Sequence, residues 1–496
     1  MKRSTTIAIG IAVALLILIG IPGWFSGLGF LAAYDTAFRI LGPIFLIIGI
    51  PLLLTGAGYL FEKPIATGAG IVLTLGGAGY FIVGHDYLVG HKYAEDTAAV
   101  EEVTSYAERA PWNVTNSYAQ RDQGDIIGDR DSVHYVPASQ DSKAADGEGT
   151  SRYTTLVEAR AFLGMAGYEA VQVLGMPITG TIPGGASTYC EFPDHMESKL
   201  DTFWPWHSLS WDIHAKAPRA HWNTDDAYAY CAGDEPVVVV PLWEWDGFLW
   251  ATKVPNGAAI YSSEGVQILS AEELVEEGIE GPTYPRTVAE RQRDTINSGG
   301  SLADYWGKRY GYETTSKDSE DTNGENNTEF TLVTTGGEMM YVTPLTPRGS
   351  SQSITAVSEI PAQQSEHGRE EIRINTSTDL PATSTIMTNI KESSVDGDNA
   401  WTTRWASGMS VYEVLPGKDG KWIASIGQGQ AVSYRAEITP EGAVTVTNTE
   451  SKSAPEDEES VTVESDKPLA EMSDSELLTL IQQATEELQE REANAG

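Results

Sequence analysis

Three long uncharged runs occupy most of the first 92 residues: Ser4 to Tyr34, with an apolar centre from Ile7 to Ile21, then Ile40 to Phe61, then Pro64 to His85. A helix rises 1.5 Å per residue, so about 20 residues cross the roughly 30 Å hydrocarbon layer of a bilayer. The second and third runs have that length. In lipid a run must satisfy its own backbone polar groups, which a lone segment can do only as a helix. Residues 1–92 therefore read as a membrane anchor with two or three transmembrane helices. Lys2 and Arg3 precede the first run and Glu62–Lys63 separates the second from the third, so the positive-inside rule places both points in the cytoplasm. Three crossings leave residue 93 onward outside. If Ile7 to Ile21 is instead a signal-peptide core, cleaved near the small residues Ala32 and Ala33, two crossings remain and the large part still ends outside. Ala66, Gly70, Thr74 and Ala78 make a stripe of small side chains on one face of the third run, suited to packing within the anchor.

The charge is unevenly spread. Residues 1–92 carry five basic and three acidic side chains, whereas the whole chain has a net charge of −38, so all the acidity lies beyond Lys92. Such a balance argues against a face that must hold duplex phosphates, and it also fits adaptation to salt. Nucleic acid is excluded as a partner.

At 496 residues the chain exceeds one ordinary domain. The predicted fold class is multi-domain: N-terminal transmembrane helices, then an α+β domain with an antiparallel meander, then a mostly-β domain. A short helix over 93–110 and a polar linker make up 93–152. The α+β domain spans 153–312, where Val237 to Trp245, Phe248 to Val254 and Ala258 to Tyr261 are β-forming runs separated by Asp246–Gly247 and Pro255–Gly257 turns. Helices are expected over Ser270 to Glu277 and Thr287 to Gly299, the second opened by a Thr287–Glu290 capping box. An acidic linker over 313–329 has almost nothing to bury. Residues 330–449 read as an all-β unit, and 450–496 as an acidic tail with a short amphipathic helix over Ser475 to Glu492.

Candidate chemistry is sparse. His195, His207, Asp212, His214 and His221 form the one metal-like grouping, and His207, Asp212, His214 and His221 are the candidate ligands. Alternation over Leu209 to His214 suggests a strand with Asp212 and His214 on one face. No HExxH motif and no GxSxG nucleophile turn occurs, and the glycines of Gly180 to Gly185 lack the Lys-Ser/Thr of a phosphate loop. No catalytic residue and no cofactor is assigned. Seven of the thirteen tryptophans lie between Trp204 and Trp250, and Trp204, Trp206, Trp243 and Trp245 form a candidate aromatic binding surface, with core packing as the alternative use. The two cysteines, Cys190 and Cys231, are expected to form a disulfide, because outside the cytosol a lone pair in one packed domain is most simply oxidised.

At Gly180 to Cys190 and at Gly281 to Asp294 the sequence resembles uncharacterised membrane-anchored actinobacterial envelope proteins, the likeness extending over about Leu156 to Tyr312. The resemblance implies a cell-envelope setting and no particular activity. The expected function is that of a protein of the cell membrane with its large C-terminal part on the extracytoplasmic side, acting by binding or assembly. Its expected partners are the membrane and other envelope proteins or a cell-surface polymer, while the oligomeric state is left open. The alternative is a membrane-bound hydrolase acting on cell-wall material. Transport ranks last, since the runs are nearly free of ionisable groups.

Overall fold

A helix pair made from the second and third uncharged runs opens the computed structural model, which describes residues 29–101, 103–121, 128–137, 150–159, 167–178, 187–193, 198–200, 208–315, 329–349, 353–376, 378–393, 395, 401–429 and 431–449. The apolar centre of the first run, Ile7 to Ile21, the glycines of Gly180 to Gly185, His195, Trp204, Trp206, His207 and the 450–496 tail lie outside these residues, while Phe30 to Tyr34 of that run belong to the first helix. Helix α1 runs from Phe30 to Leu60 and α2 from Pro64 to Val83, 31 and 20 residues, both long and apolar enough to cross a membrane. Within α1 a π-helical turn, Phe45–Gly49, comes just before Pro51, which has no N–H to offer the carbonyl four residues back. That carbonyl belongs to Ile47, and α2 presses on it through Gly77. A Cβ at Gly77 would stand 2.5 Å from Ile47 O, and one at Gly70 would stand 2.3 Å from Thr55 Oγ1. Of the stripe, Gly70 is at the contact and Thr74 is half-buried, donating to Gly70 O of its own helix at 2.8 Å; a second close approach falls at Gly77.

This close approach makes a prediction. Gly77→Ile should force the helices apart and cost about 1–3 kcal/mol, as overpacking does. Gly68→Ile, where an added Cβ meets nothing within 4 Å, is the matched control. Thermal melts of the detergent-solubilised chain read the difference, and equal midpoints for the two variants would remove Gly77 from the contact.

After helix α3, His85–Ala94, the chain enters strand β1, Thr97–Val100, which lies parallel to Ile372–Asn375. The short helix expected over 93–110 is therefore absent from its described residues, because a distant strand supplies pairing that local propensity does not reveal. Helix α4 follows at Trp112–Arg121. The expected polar linker also contains structure: β2, Gly128–Arg130, and β3, His134–Tyr135, both pair with β4, Thr150–Ala159. With β5, Tyr168–Pro177, and β6, Ser187–Glu191, they form an antiparallel sheet in the order β2-β4-β5-β6, β3 lying beside β4.

Residues Leu209 to His214, read as a strand, belong instead to helix α5, Leu209–Lys216. Leu209 and Ile213, four apart, both bury in the core, a helical spacing that the two-residue alternation had mimicked. A second antiparallel sheet, β10-β9-β8-β7, comprises β7, Tyr228–Ala232, β8, Glu235–Asp246, β9, Thr252–Ser262, and β10, Gly265–Leu269. Asp246–Gly247 begins the β8–β9 connection as expected. Pro255 to Gly257 is not a turn: β9 runs through it, and the register against β8 shifts between Pro241 and Trp243. Gly257 takes φ +68° there, with Leu269 O only 1.9 Å from where a Cβ would sit, so the glycine serves a bulge. Leu156 and Val171 of the first sheet share a core with Val238, Val240 and Ala259 of the second. The Cys190–Cys231 disulfide joins them, from β6 to β7 with Cα atoms 6.0 Å apart.

Helix α6, Ala271–Glu276, opens with a Ser270–Glu273 capping box. Helix α7, Arg286–Asp294, starts one residue earlier than expected, which puts Thr287 inside the first turn and dissolves its predicted capping box. Asp226 caps it from across the fold, accepting from the Thr287 N–H at 3.2 Å and the Thr287 hydroxyl at 2.7 Å. Burial pushes that carboxyl up to about 6, against the two hydrogen bonds. The single turn α8, Leu302–Trp306, follows.

The third sheet has the order β1-β15-β14-β13-β11, with β12 also on β13, from β11, Tyr312–Thr314, β12, Phe330–Val333, β13, Met339–Pro347, β14, Ala356–Pro361, and β15, Ile372–Asn375. Strand β11, which begins just before the acidic stretch, pairs with β13 beyond it. One face of this sheet packs Tyr341, Ile360 and Ile374 against Val288 and Ala289 of α7 and against Trp243. The other packs Val342 and Val357 against a fourth sheet, β16-β17-β18-β19, formed by Ser410–Pro416, Trp422–Gln428, Ala431–Ile438 and Val444–Asn448. This C-terminal part is mostly β, but it also holds α9, Thr383–Glu392, and α10, Trp401–Ala406. Both were missed because they are short and rich in Thr and Ser, so that only Ile386, Met387 and Ile390, or Trp401 and Trp405, carry the helical period.

Candidate binding cavity

The end of the helix pair opposite Glu62–Lys63 meets the sheets, and a cavity of about 700 Å³ lies at that junction. Its walls come from α1 (Arg39, Ile40, Ile44), the corner between α2 and α3 (Phe81, His85, Asp86, Val89, Tyr93), the β8–β9 hairpin (Trp245, Ala251, Lys253) and α7 (Thr287, Glu290, Arg291, Asp294). Aromatic side chains hold the parts together. The indole N–H of Trp245 donates to Thr36 Oγ1 at 3.1 Å, that of Trp250 to Tyr80 OH at 2.6 Å and that of Trp306 to Val83 O at 2.9 Å, while Tyr87 OH donates to Gly300 O at 2.9 Å. Phe38 stands on Phe248 with ring centroids 4.9 Å apart. Lys92 bonds Asp246 at 2.5 Å, and Arg39 donates to Gly247 O and to Asp35.

The charges in the walls are unequally committed. Among the carboxylates, Glu290 is 3.5 Å from Arg286, Asp294 is 3.2 Å from Arg293, and Asp86 is exposed, 3.5 Å from the His85 ring. Burial raises the Glu290 carboxyl above its ordinary range, with the neighbouring Glu329 adding to it. Lys253 is different. Its ammonium lies 4.4 Å from the centre of the Trp243 ring and has no carboxylate or carbonyl acceptor among the described residues. Burial lowers its pKa, a shift that Asp226 and Glu290 oppose and Arg291 assists. Arg291 is exposed and its guanidinium likewise has no partner among the described residues.

The residues singled out from sequence divide. Trp243 is buried and Trp245 lines the cavity, so these two are together, edge to face at 5.3 Å. Trp243 is thus core more than platform. His221 stacks on Trp243 at 4.5 Å and exchanges both backbone hydrogen bonds with it at 2.8 Å, while His214 lies against Trp222 at 4.6 Å. Burial pushes the His221 pKa down to about 4, consistent with a neutral ring in an aromatic stack. Among the described residues, His214 Nδ1, His221 Nε2 and Trp243 Nε1 are buried and find no hydrogen-bond partner. Among the described residues no group of three or more His, Cys, Asp or Glu is placed to hold a metal ion. Sequence reasoning missed Arg39, Lys253 and Arg291 as site residues. One available signal was Asp35–Arg39, an ion pair at helical spacing in an otherwise almost uncharged region.

Set against known protein families, curated proteins and solved structures, the chain matches none of them.

Proposed function

We propose that the chain is a membrane-anchored envelope protein whose large part, from about residue 93, stands on the extracytoplasmic side and acts by binding or assembly on other envelope proteins or a cell-surface polymer. The observation that carries this reading is the seating of the sheets on one end of the helix pair: Trp250 and Trp306 bond its α2–α3 corner and Tyr87 of that corner bonds Gly300 O, an aromatic cluster of the kind found at membrane–water interfaces. The other end is the Glu62–Lys63 turn, the cytoplasmic point under the positive-inside rule. The oxidised Cys190–Cys231 pair supports the same side, since thiols stay reduced in most cytosols. The Gly281 to Asp294 segment, which carries the likeness to actinobacterial envelope proteins, supplies the α7 wall of the cavity.

Protease added to intact protoplasts tests the placement. A C-terminal epitope should vanish and a membrane-embedded fragment ending near residue 93 should survive. An epitope that is lost only after lysis would put the large part in the cytoplasm.

A further inference from the structure

We propose that the cavity binds the phosphate headgroup of an anionic membrane lipid, with the acyl chains lying along Ile40, Ile44 and Phe81. The inference rests on the membrane reading above. Its first support is depth. Gly77 meets Ile47 and Gly70 meets Thr55, and continuing this antiparallel register brings Phe81 level with Ile44, near the end of α2. The cavity therefore opens where a spanning helix leaves the hydrocarbon and headgroups begin. Ile40 and Ile44, which line it, are 52% and 41% exposed and belong equally to the outer apolar surface of α1, so an acyl chain can pass from one to the other without crossing polar surface.

The second support is charge. In a chain with 70 acidic and 32 basic side chains, a cation without an acidic partner is unexpected. Lys253 and Arg291 are two cations on one cavity with no carboxylate within 4 Å among the described residues, Asp226 and Glu290 acting on Lys253 from farther off. Of the wall acids, Glu290 is 3.5 Å from Arg286 and Asp294 is 3.2 Å from Arg293, two arginines that each also pair with Glu329, and Asp86 is exposed. Arg39 adds a third positive group, already engaged by Asp35 and Gly247. The Lys253 ammonium retains its N–H donors while the Trp243 ring offsets part of its desolvation. Phosphate oxygens are suited to both unpaired groups, the guanidinium by its fork and the ammonium as a compact charge. A free phosphate would leave the apolar wall and most of the 700 Å³ unused, whereas a headgroup with its glycerol and first methylenes suits them.

The test uses the full chain in neutral detergent, titrated with dioctanoyl-phosphatidylglycerol, dioctanoyl-phosphatidylcholine and glycerol 1-phosphate, read by thermal midpoint and by tryptophan fluorescence. Saturable stabilisation by phosphatidylglycerol alone is expected. Lys253→Gln with Arg291→Gln should weaken it about tenfold or more, from the loss of two charge-assisted contacts, and Lys253→Arg should restore most of it in the presence of native Arg291. Neither side chain makes a hydrogen bond within the described fold, so the double variant should melt near the parent without lipid. Equal response to phosphatidylcholine, or an unchanged affinity in the double variant, overturns the proposal. An equal response to glycerol 1-phosphate leaves an anion site but overturns the lipid. Retention of the chain in alkaline-washed membranes is measured separately: its loss would sink the membrane reading, whereas lipid selectivity in detergent is scored independently.

Discussion

Arg109→Met should destabilise the chain by about 3–5 kcal/mol, the cost of leaving a buried charge without its partner. Arg109 and Glu413 are both buried, and Nη1 stands 3.1 Å from Glu413 Oε2. The guanidinium also donates to Tyr153 OH at 2.7 Å, to Thr331 O at 3.1 Å and to Ala110 O at 3.0 Å, and Glu413 accepts from the Trp112 N–H at 2.8 Å. Four distant stretches thus meet at one ion pair: the segment before α4, β4 of the first sheet, β12 of the third and β16 of the fourth. Burial raises the Glu413 carboxyl, and the Arg109 charge with the Trp112 amide opposes that rise. Glu413→Leu should be as damaging as Arg109→Met, because it strands the guanidinium. The double variant should be milder than either, since an apolar pair of similar volume escapes the desolvation cost. Denaturant midpoints of the detergent-solubilised chain, with the slope checked for constancy, give the comparison. If both single variants fall within about 1 kcal/mol of the parent, the pair does not hold these sheets together.

Replacing Cys190 and Cys231 with alanine should cost up to roughly 4 kcal/mol, the chain-entropy ceiling for a loop of this length, with native strain subtracting from it. The two half-cystines are 41 positions apart and enclose α5, the Asp226 turn and part of the first two sheets' shared core. The loss should therefore be felt between those sheets, at Leu156, Val171 and Val240, before it reaches the fourth. Hydrogen exchange should rise first in β5–β8 and last in β16–β18. Alkylation of the denatured native-source chain should add no groups without reductant and two with it. Uptake of two groups without reductant would remove the bridge and with it one support for an external location.

Much of this architecture could be read without coordinates, for reasons that can be named. Long uncharged runs such as Ile40 to Phe61 are helical as expected, although α1 begins at Phe30 and carries the Asp35–Arg39 pair that the run excluded. The runs Ala431 to Ile438 and Ile372 to Asn375 carry strand periodicity and β-branched residues, and they are strands. Ser270 and Glu273 are close enough in sequence to cap their own helix, and they do. Where two solutions of similar local energy compete, the sequence reading failed. Pro255 to Gly257 suits a turn or a bulge, and the register of β8 chooses the bulge. Thr287 suits a cap, but Asp226, 61 residues earlier, takes that position. The Glu313 to Glu329 break in composition is real, yet β11 pairs across it, and Trp243, Val288 and Tyr341 share one core.

The candidate site lies at the far end of this scale. The long apolar helices, strand content and the cysteine pair are encoded by solvation, alternation and residue count, all of them local or global properties of the chain. The cavity is neither. Arg39, Lys253 and Arg291 are separated by more than 200 and by 38 positions, and what sets them apart is the identity of their neighbours: Arg39 stands 3.2 Å from Asp35, whereas no carboxylate among the described residues comes within 4 Å of Lys253 or Arg291. Whether a cation is paired depends on ångström-scale distances between segments, which packing sets and which no pattern along one segment contains.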